Sequence, residues 1–504
     1  MSKYLLMLLV AFVTMSCSKK VEVTGNFAGG SPLERIEFIE ASGVATLPLV
    51  NMGVDAKGNF AGSFDAPKDG MYIMTYGGKQ ANIYLKGGQK LNISGQAVNF
   101  PAKFTVTGDA KKNNDFLQEI QTLIQDYAGK INVQELVSKD EAAFLKGVEK
   151  IRADLDKHID TAAKKTSPDK DVIEFKKDEL NASILGLMNQ YEMNHGQITQ
   201  NAAFKVTKNF TDAEAKLKKE EGRLLKNQPI YRNYLLGKLS PEFQKYSEAH
   251  KVTATEPSSI EFSKFLDTKK DMSQLAKDYL LAFVISNSDI NPSTTPADAA
   301  KISKLVQDKI KDVEIKKDLE RIQFVISGPK IGEAAPSSKL ITIEGKEFKL
   351  SDIKGKPAMV MFYASWNPYI SESAMPVMKE VANFYKSKMD FVFVNLDDTK
   401  DQFTKTSNAM LSGIKGTKVY AENGMNSQIA KDLGIYGFKL PSFMVIDKDG
   451  KVASKVFYNL GDEELIKVLD KMTGLKAPEA PQGAVLQNDL VEPPMAMPET
   501  PASK

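Results

Sequence analysis

The chain has 504 residues, 42% hydrophobic and 26% charged, which is the make-up of ordinary folded protein long enough for about three domains. Its 67 basic and 64 acidic residues leave a net charge of +3, a balance that argues against a nucleic-acid groove or a polybasic membrane surface. A single cysteine, Cys17, excludes any disulfide within the chain, so stability must come from packing.

The N-terminus reads as an address. Lys3 supplies a positive start, and Tyr4 to Val13 form an apolar run too short for a spanning helix, which needs ~20 residues. Thr14-Met15-Ser16-Cys17 resembles a bacterial lipobox, with Thr14 where Leu is commonest. The resemblance implies removal of residues 1–16, lipidation of Cys17 and a membrane partner reached through that lipid. A plain secretory signal with a free thiol is the alternative. Ser18 after the cysteine, with no acidic run behind it, implies an outer-membrane lipoprotein on the periplasmic face.

Residues 17–108 read as an antiparallel β-rich domain, sandwich or barrel. Six runs alternate apolar and polar residues: Val21–Gly25, Ile36–Ile39, Gly58–Phe64, Met71–Tyr76, Ala81–Leu85 and Lys90–Ser94. Glycine-containing pairs such as Lys57-Gly58, Asp69-Gly70 and Gly87-Gly88 punctuate them. Asp55-Ala-Lys-Gly-Asn-Phe60, Pro67-Lys-Asp-Gly-Met-Tyr72 and the run from Ile83 to Leu91 resemble a domain of unknown function in Bacteroidota lipoproteins. That resemblance implies a spacer or interaction module.

Residues 109–327 read as an all-α domain. Phe116, Ile120, Leu123, Ile124 and Tyr127 recur at helical spacing, as do Leu145, Val148, Ile151 and Leu155. Breaks are expected at Asn194–Gly196, Asn227–Pro229, Thr255–Pro257 and Asn291–Pro296. Ala213 to Arg223 reads as a solvated helix surface. The three histidines, His158, His195 and His250, stand apart, with no metal-ligand spacing around them. Asp160-Thr161-Ala162 resembles a Bacteroidota O-glycosylation sequon.

Residues 328–474 read as α/β. Ile331–Pro336, Glu344–Leu350 and Ser351-Asp-Ile-Lys-Gly-Lys-Pro357 resemble the entry of a redoxin domain, which implies a hairpin and then a short turn. Met359–Tyr363 is an apolar run suited to a strand covered on both faces, and Phe391–Leu396 is another. Ser442–Ile446 and Lys451–Val456 are expected to form a hairpin across Asp447–Gly450, before a last helix from Asp462 to Met472. Asn367-Pro368 reads as a helix start, Asn as N-cap and Pro at the first helical position.

The stretch from Met359 through Trp366-Asn-Pro-Tyr-Ile370 to Pro376 resembles the thioredoxin fold in its redoxin, TlpA-like and AhpC/TSA-type form. That family carries Trp-Cys-Pro-x-Cys here. This chain keeps Trp366 and Pro368 but has Asn367 and Ile370 at the two cysteine positions. Thiol-disulfide exchange needs a thiolate that neither residue supplies. Leu440-Pro441 falls at the family's cis-proline. There it is either a groove element facing extended peptides or a turn that serves the fold.

The reading is therefore a thioredoxin-like lipoprotein without catalytic residues, and a binding or structural module. Trp366, Asn367, Tyr369, Leu440 and Pro441 would floor a groove for a peptide or protein; alternatively Trp366 and Tyr369 only pack the domain edge. The family's thiol-disulfide oxidoreductase or peroxiredoxin-like activity is the competing expectation. Chemistry from Ser371, Glu372 or Tyr369 lacks a visible base–nucleophile pair. No cofactor, metal or nucleic-acid partner is expected. From 475 to 504, Pro478, Pro481, Pro493, Pro494, Pro498 and Pro501 mark a disordered tail.

Overall fold

A computed structural model describes residues 20–250, 256–291 and 294–477. The segment read as a signal, Cys17, Thr255 and the proline-rich stretch from 478 onward lie outside the described residues.

Eight strands come first: β1 Lys20–Ala28, β2 Arg35–Glu40, β3 Pro48–Gly53, β4 Asn59–Asp65, β5 Gly70–Tyr76, β6 Lys79–Leu85, β7 Lys90–Gln96 and β8 Phe104–Gly108. Val21, Val23 and Phe27 of β1, and Leu91 and Ile93 of β7, point inward at period two. The strands make two four-stranded sheets, ordered β4-β1-β7-β8 and β3-β2-β5-β6. The inner faces close a ring-rich core, with Phe38 stacked on Phe64 at 5.3 Å and Tyr76 edge-on to Phe100 at 5.9 Å. One expectation is corrected: the region is not purely antiparallel. β1 runs parallel to β7, from Glu22 opposite Lys90 to Ala28 opposite Gln96. Alternation along a strand marks its faces and leaves its direction open. β3 does not alternate in burial, because Val50, Asn51 and Met52 are all buried.

Helices follow: α1 Lys111–Ala128, α2 Val133–Ser138, α3 Glu141–Thr166, α4 Lys170–Ile198, α5 Lys208–Leu217, α6 Glu221–Asn227, α7 Pro229–His250, α8 Ser258–Thr268, α9 Gln274–Val284, α10 Pro296–Lys309 and α11 Val313–Ser327. Their core takes in Met71 and Tyr84 from the sandwich. The Asn114 side chain of α1 accepts from the Tyr84 N–H at 2.9 Å and donates to the Tyr84 carbonyl at 3.0 Å, occupying backbone groups at the sheet edge. Two further expectations are adjusted. The break expected around Asn194-His-Gly196 falls two residues on, where α4 ends at Ile198, because His195 is buried, stacked on Tyr191, with Nδ1 2.8 Å from the Val137 carbonyl. That packing outweighs the ~1 kcal/mol helix cost of Gly196. Ala213–Arg223 is not one solvated face. α5 ends within it, and Glu214 is buried, accepting from the Tyr234 hydroxyl at 3.3 Å.

The C-terminal sheet is built from β9 Leu340–Thr342, β10 Glu347–Phe348, β11 Ala358–Tyr363, β12 Asp390–Asn395, β13 Thr417–Tyr420 and β14 Ser442–Ile446, in the order β10-β9-β13-β12-β11-β14. β11, β12 and β13 are mutually parallel, and β14 is antiparallel to β11. Val360 and Phe362 face one core, while Met359, Met361 and Tyr363 face the other. α12 Met375–Tyr385, α13 Lys400–Met410, α14 Gln428–Leu433 and α15 Glu463–Thr473 flank the sheet. The expected strand at Lys451–Val456 is reduced to isolated bridges at Lys451, Val452 and Phe457. Residues 475–477 depart from the expected tail. Leu475 and Ala477 pack against the core, and the Ala477 N–H bonds Asp470 at 3.0 Å. The molecule thus has a sheet-rich N-terminal region, a helical middle and a C-terminal thioredoxin-like domain.

Candidate functional site

β11 delivers its carboxyl end to a turn at Ala364, Ser365 and Trp366. A buried carboxylate that the sequence reading passed over holds this turn. Asp397 accepts from the Ser365 N–H at 2.6 Å, the Ser365 hydroxyl at 2.9 Å, Asn395 Nδ2 at 2.8 Å and the Thr406 hydroxyl at 3.1 Å. An acidic pair, Asp397-Asp398, directly after a parallel strand was the available signal, since functional groups gather at the carboxyl ends of such strands.

Asn367 works in two directions. Its Oδ1 accepts from the Tyr369 N–H at 3.0 Å, as an N-cap does. Its Nδ2 donates to the Leu440 carbonyl at 2.8 Å. The helix begins at Pro368, passes through a π turn at Ile370–Ala374 and continues as α12. The Leu440-Pro441 bond is cis, and the Leu440 N–H closes a tight turn onto the Gly437 carbonyl at 3.4 Å. Both main-chain groups of Leu440 are therefore engaged inside the domain.

Of the groove residues read from sequence, Trp366, Asn367 and Leu440 converge and are buried. Tyr369 is 63% exposed and Pro441 half-buried, so these two face outward. Ile370 is fully buried in the core beside Met359 and Met361 and takes no part in the groove surface. Thr161 lies exposed on α3, far along the chain from this site.

The Trp366 side carries residues from the sandwich. The Arg35 guanidinium lies 4.7 Å from the Trp366 ring centroid and pairs with Asp398 through two bonds of 2.6 and 2.8 Å. Asn51 donates to Glu37 at 2.5 Å. Burial pushes the Glu37 carboxyl above its ordinary range, against the opposing pull of Asn51 and Arg35. The Trp366 indole N–H is buried and finds no acceptor among the described residues.

Lys439, just before the cis bond, was also missed, because a lone Lys between Phe438 and Leu440 reads as surface. It is buried, donating to the Val325 carbonyl of α11 and to the Tyr458 hydroxyl, 2.6 Å away. Burial pushes its ammonium down to about 7 from an ordinary 10.5. The unfolded chain keeps this amine protonated up to 10.5, whereas the folded chain releases the proton near 7. Between those values the unfolded state binds more protons, so this group's contribution to stability rises with pH. Below 7 the amine is charged in both states and the burial cost is complete. Wild type should therefore gain on Lys439→Met as pH rises from 6 to 9, read as denaturant midpoints. A gap that ignores pH would refute this.

Among the described residues, no cluster of three or more His, Cys, Asp or Glu is placed to hold a metal. Pockets of about 400 and 460 Å³ lie in the helical region, and neither includes Trp366 or Pro441 in its lining.

Residues 331–455 match the AhpC/TSA family. The thiol-disulfide oxidoreductase ResA of Bacillus cereus is 32% identical over 151 residues, covering 28% of this chain and 79% of that protein. ResA of Bacillus anthracis is 33% identical over 146 residues, with the same two shares. The thioredoxin domain of a thiol-disulfide oxidoreductase from Bacteroides vulgatus aligns with 29% of this chain and 99% of its own length, at 20% identity and a TM-score of 0.24.

Proposed function

Because the chain belongs, through its C-terminal domain, to the AhpC/TSA family of thioredoxin-like proteins, we propose that it is a redox-inactive member acting as a binding or structural module of the cell envelope. The observation that carries this reading is the pair Asn367 and Ile370 in a chain whose single cysteine is Cys17. Disulfide exchange requires an attacking thiolate and a leaving thiol, and peroxide reduction requires a thiolate. Asn367 instead spends its side chain on the helix start and on Leu440. Tyr369 and Pro441 remain the outward part of the groove, for a peptide or protein ligand recognised by an aromatic face rather than by pairing with the Leu440 backbone.

The same proposal places the protein at the outer membrane, periplasmic side, held by a lipid on Cys17. β1 starts at Lys20, so the two residues between it and Cys17 would hold the sandwich within ~10 Å of the lipidated residue. The names of the relatives favour a competing reading, thiol-disulfide exchange, which needs a thiol supplied from outside the chain. Two measurements test the proposal. Purified wild type should reduce neither insulin nor peroxide above background, and radiolabelled palmitate should label wild type but not Cys17→Ser. Thiol-dependent turnover would overturn the first half, and absence of label the second.

A further inference from the structure

We propose that the N-terminal sandwich is the resident partner of the vacated redox site, a built-in cover that closes its Trp366 side and leaves only the Tyr369–Pro441 side open. This rests on the redox-inactive reading, since a working disulfide exchanger must admit a substrate at the position the cover takes.

Three sets of contacts carry the inference. The first is the ion pair. Arg35, with its side chain only 10% exposed, stacks over Trp366 while both terminal nitrogens bond Asp398. Its Nε donates to Asn51 Oδ1 at 2.7 Å, which fixes the plane of the guanidinium. The second is a reciprocal amide clasp. The Asn51 N–H donates to Asn426 Oδ1 at 3.0 Å, and Asn426 Nδ2 donates to the Asn51 carbonyl at 2.7 Å. A side-chain amide thus pairs with the β3 backbone as a neighbouring strand would.

The third contact is steric. At Gly437 a Cβ would lie 3.1 Å from Asn51 Nδ2, 3.4 Å from the Trp366 ring and 3.6 Å from the Glu37 carboxylate. At Gly53 a Cβ would overlap the Asp398 carboxylate. Glycine on each side lets the two backbones approach this closely. The partners come from β2 and β3 on one side, and from the Trp366 turn, Asp398 just beyond β12, Asn426 and Gly437 on the other. β3 therefore lacks alternation in burial because both its faces are covered.

Trp366 is the single tryptophan of the chain, so tryptophan fluorescence comes from the ring under Arg35. In the full-length protein, Arg35→Ala and Asp398→Ala should each red-shift the emission and raise acrylamide quenching severalfold. The double variant should add little, because each single change already removes the pair. Gly53→Ala, which wedges the faces apart without removing a charge, should move the same signal. Circular dichroism identifies any variant that has failed to fold, and Asp398→Asn then replaces Asp398→Ala. Folded variants whose Trp366 emission and quenching match wild type would overturn the cover. Insulin reduction by wild type would overturn the redox-inactive reading instead and leave the fluorescence result standing.

Discussion

Combining Asn367→Cys with Ile370→Cys is expected to give a protein that reduces a small aromatic disulfide, which the wild type should not do. Asn367 caps a helix start, where free backbone N–H groups and the helix dipole favour an anion. A cysteine there has its pKa drawn from ~8.5 toward the ~3.5–7.5 range. Ile370 lies one turn on and fully buried, so a cysteine in its place stays protonated, available to resolve a mixed disulfide. Loss of the cap costs ~1 kcal/mol. The shrunken core at position 370 costs a further ~1–3 kcal/mol. A lower denaturant midpoint should therefore accompany the new activity.

Substrate size separates this expectation from a general repair of the family's activity. With Arg35 over Trp366, the small disulfide should be reduced well and insulin poorly. Adding Arg35→Ala to the cysteine pair should then raise insulin turnover more than small-disulfide turnover. A folded double variant inert toward both would show that the turn no longer presents position 367 to a substrate. Equal turnover of both substrates, unaffected by Arg35→Ala, would mean that the sandwich obstructs nothing.

What the sequence revealed was local. The apolar run at β11, the Asn-Pro helix start and the Leu-Pro of the cis bond lie within one element or one turn, and they are visible without a partner. Period-two alternation marked six of the eight sandwich strands. β3 escaped because its alternating stretch, Val50-Asn51-Met52, is only three residues long between Pro48-Leu49 and Gly53. β13, four residues long after Gly416, is too short for any period to register. The covering residues were illegible for a different reason. Arg35 and Asp398 are 363 positions apart, and Asn51 and Asn426 are 375 apart. An arginine at a strand start and an asparagine in a strand look like solvent-facing residues until the third dimension supplies their partners. At Gly196 the packing around His195 carried the helix two residues past the glycine, to Ile198, before it ended.

A large loss of stability from a single polar change outside the C-terminal domain is expected at Arg232, in α7. Its Nε donates to the Leu225 carbonyl at 2.7 Å, and one Nη donates to the Lys226 carbonyl at 3.1 Å and the Ser42 carbonyl at 2.6 Å. Leu225 and Lys226 lie in the last turn of α6, whose carbonyls have no partner within the helix. The guanidinium thus caps one helix and ties down the loop between β2 and β3, while stacking on Tyr279 at 3.9 Å. Burial lowers the Arg232 pKa, so its charge is costly in itself, and Arg232→Met removes that cost. The substitution also leaves two buried carbonyls and one half-buried carbonyl unpaired, at ~1–3 kcal/mol for each buried one, so the carbonyls win and the net loss is on the order of 3 kcal/mol. Arg232→Lys should recover little, because one ammonium cannot reproduce the fork. Asp318 of α11 holds the same loop, accepting from Val44 and Ala45 at 2.8 and 3.2 Å. The loop leads into β3, which carries Asn51 to the cover over Trp366. Arg232→Met should therefore also raise acrylamide quenching of Trp366, although Arg232 makes no contact with that ring. A folded variant with a wild-type midpoint and wild-type quenching would sever that chain of contacts at its first link.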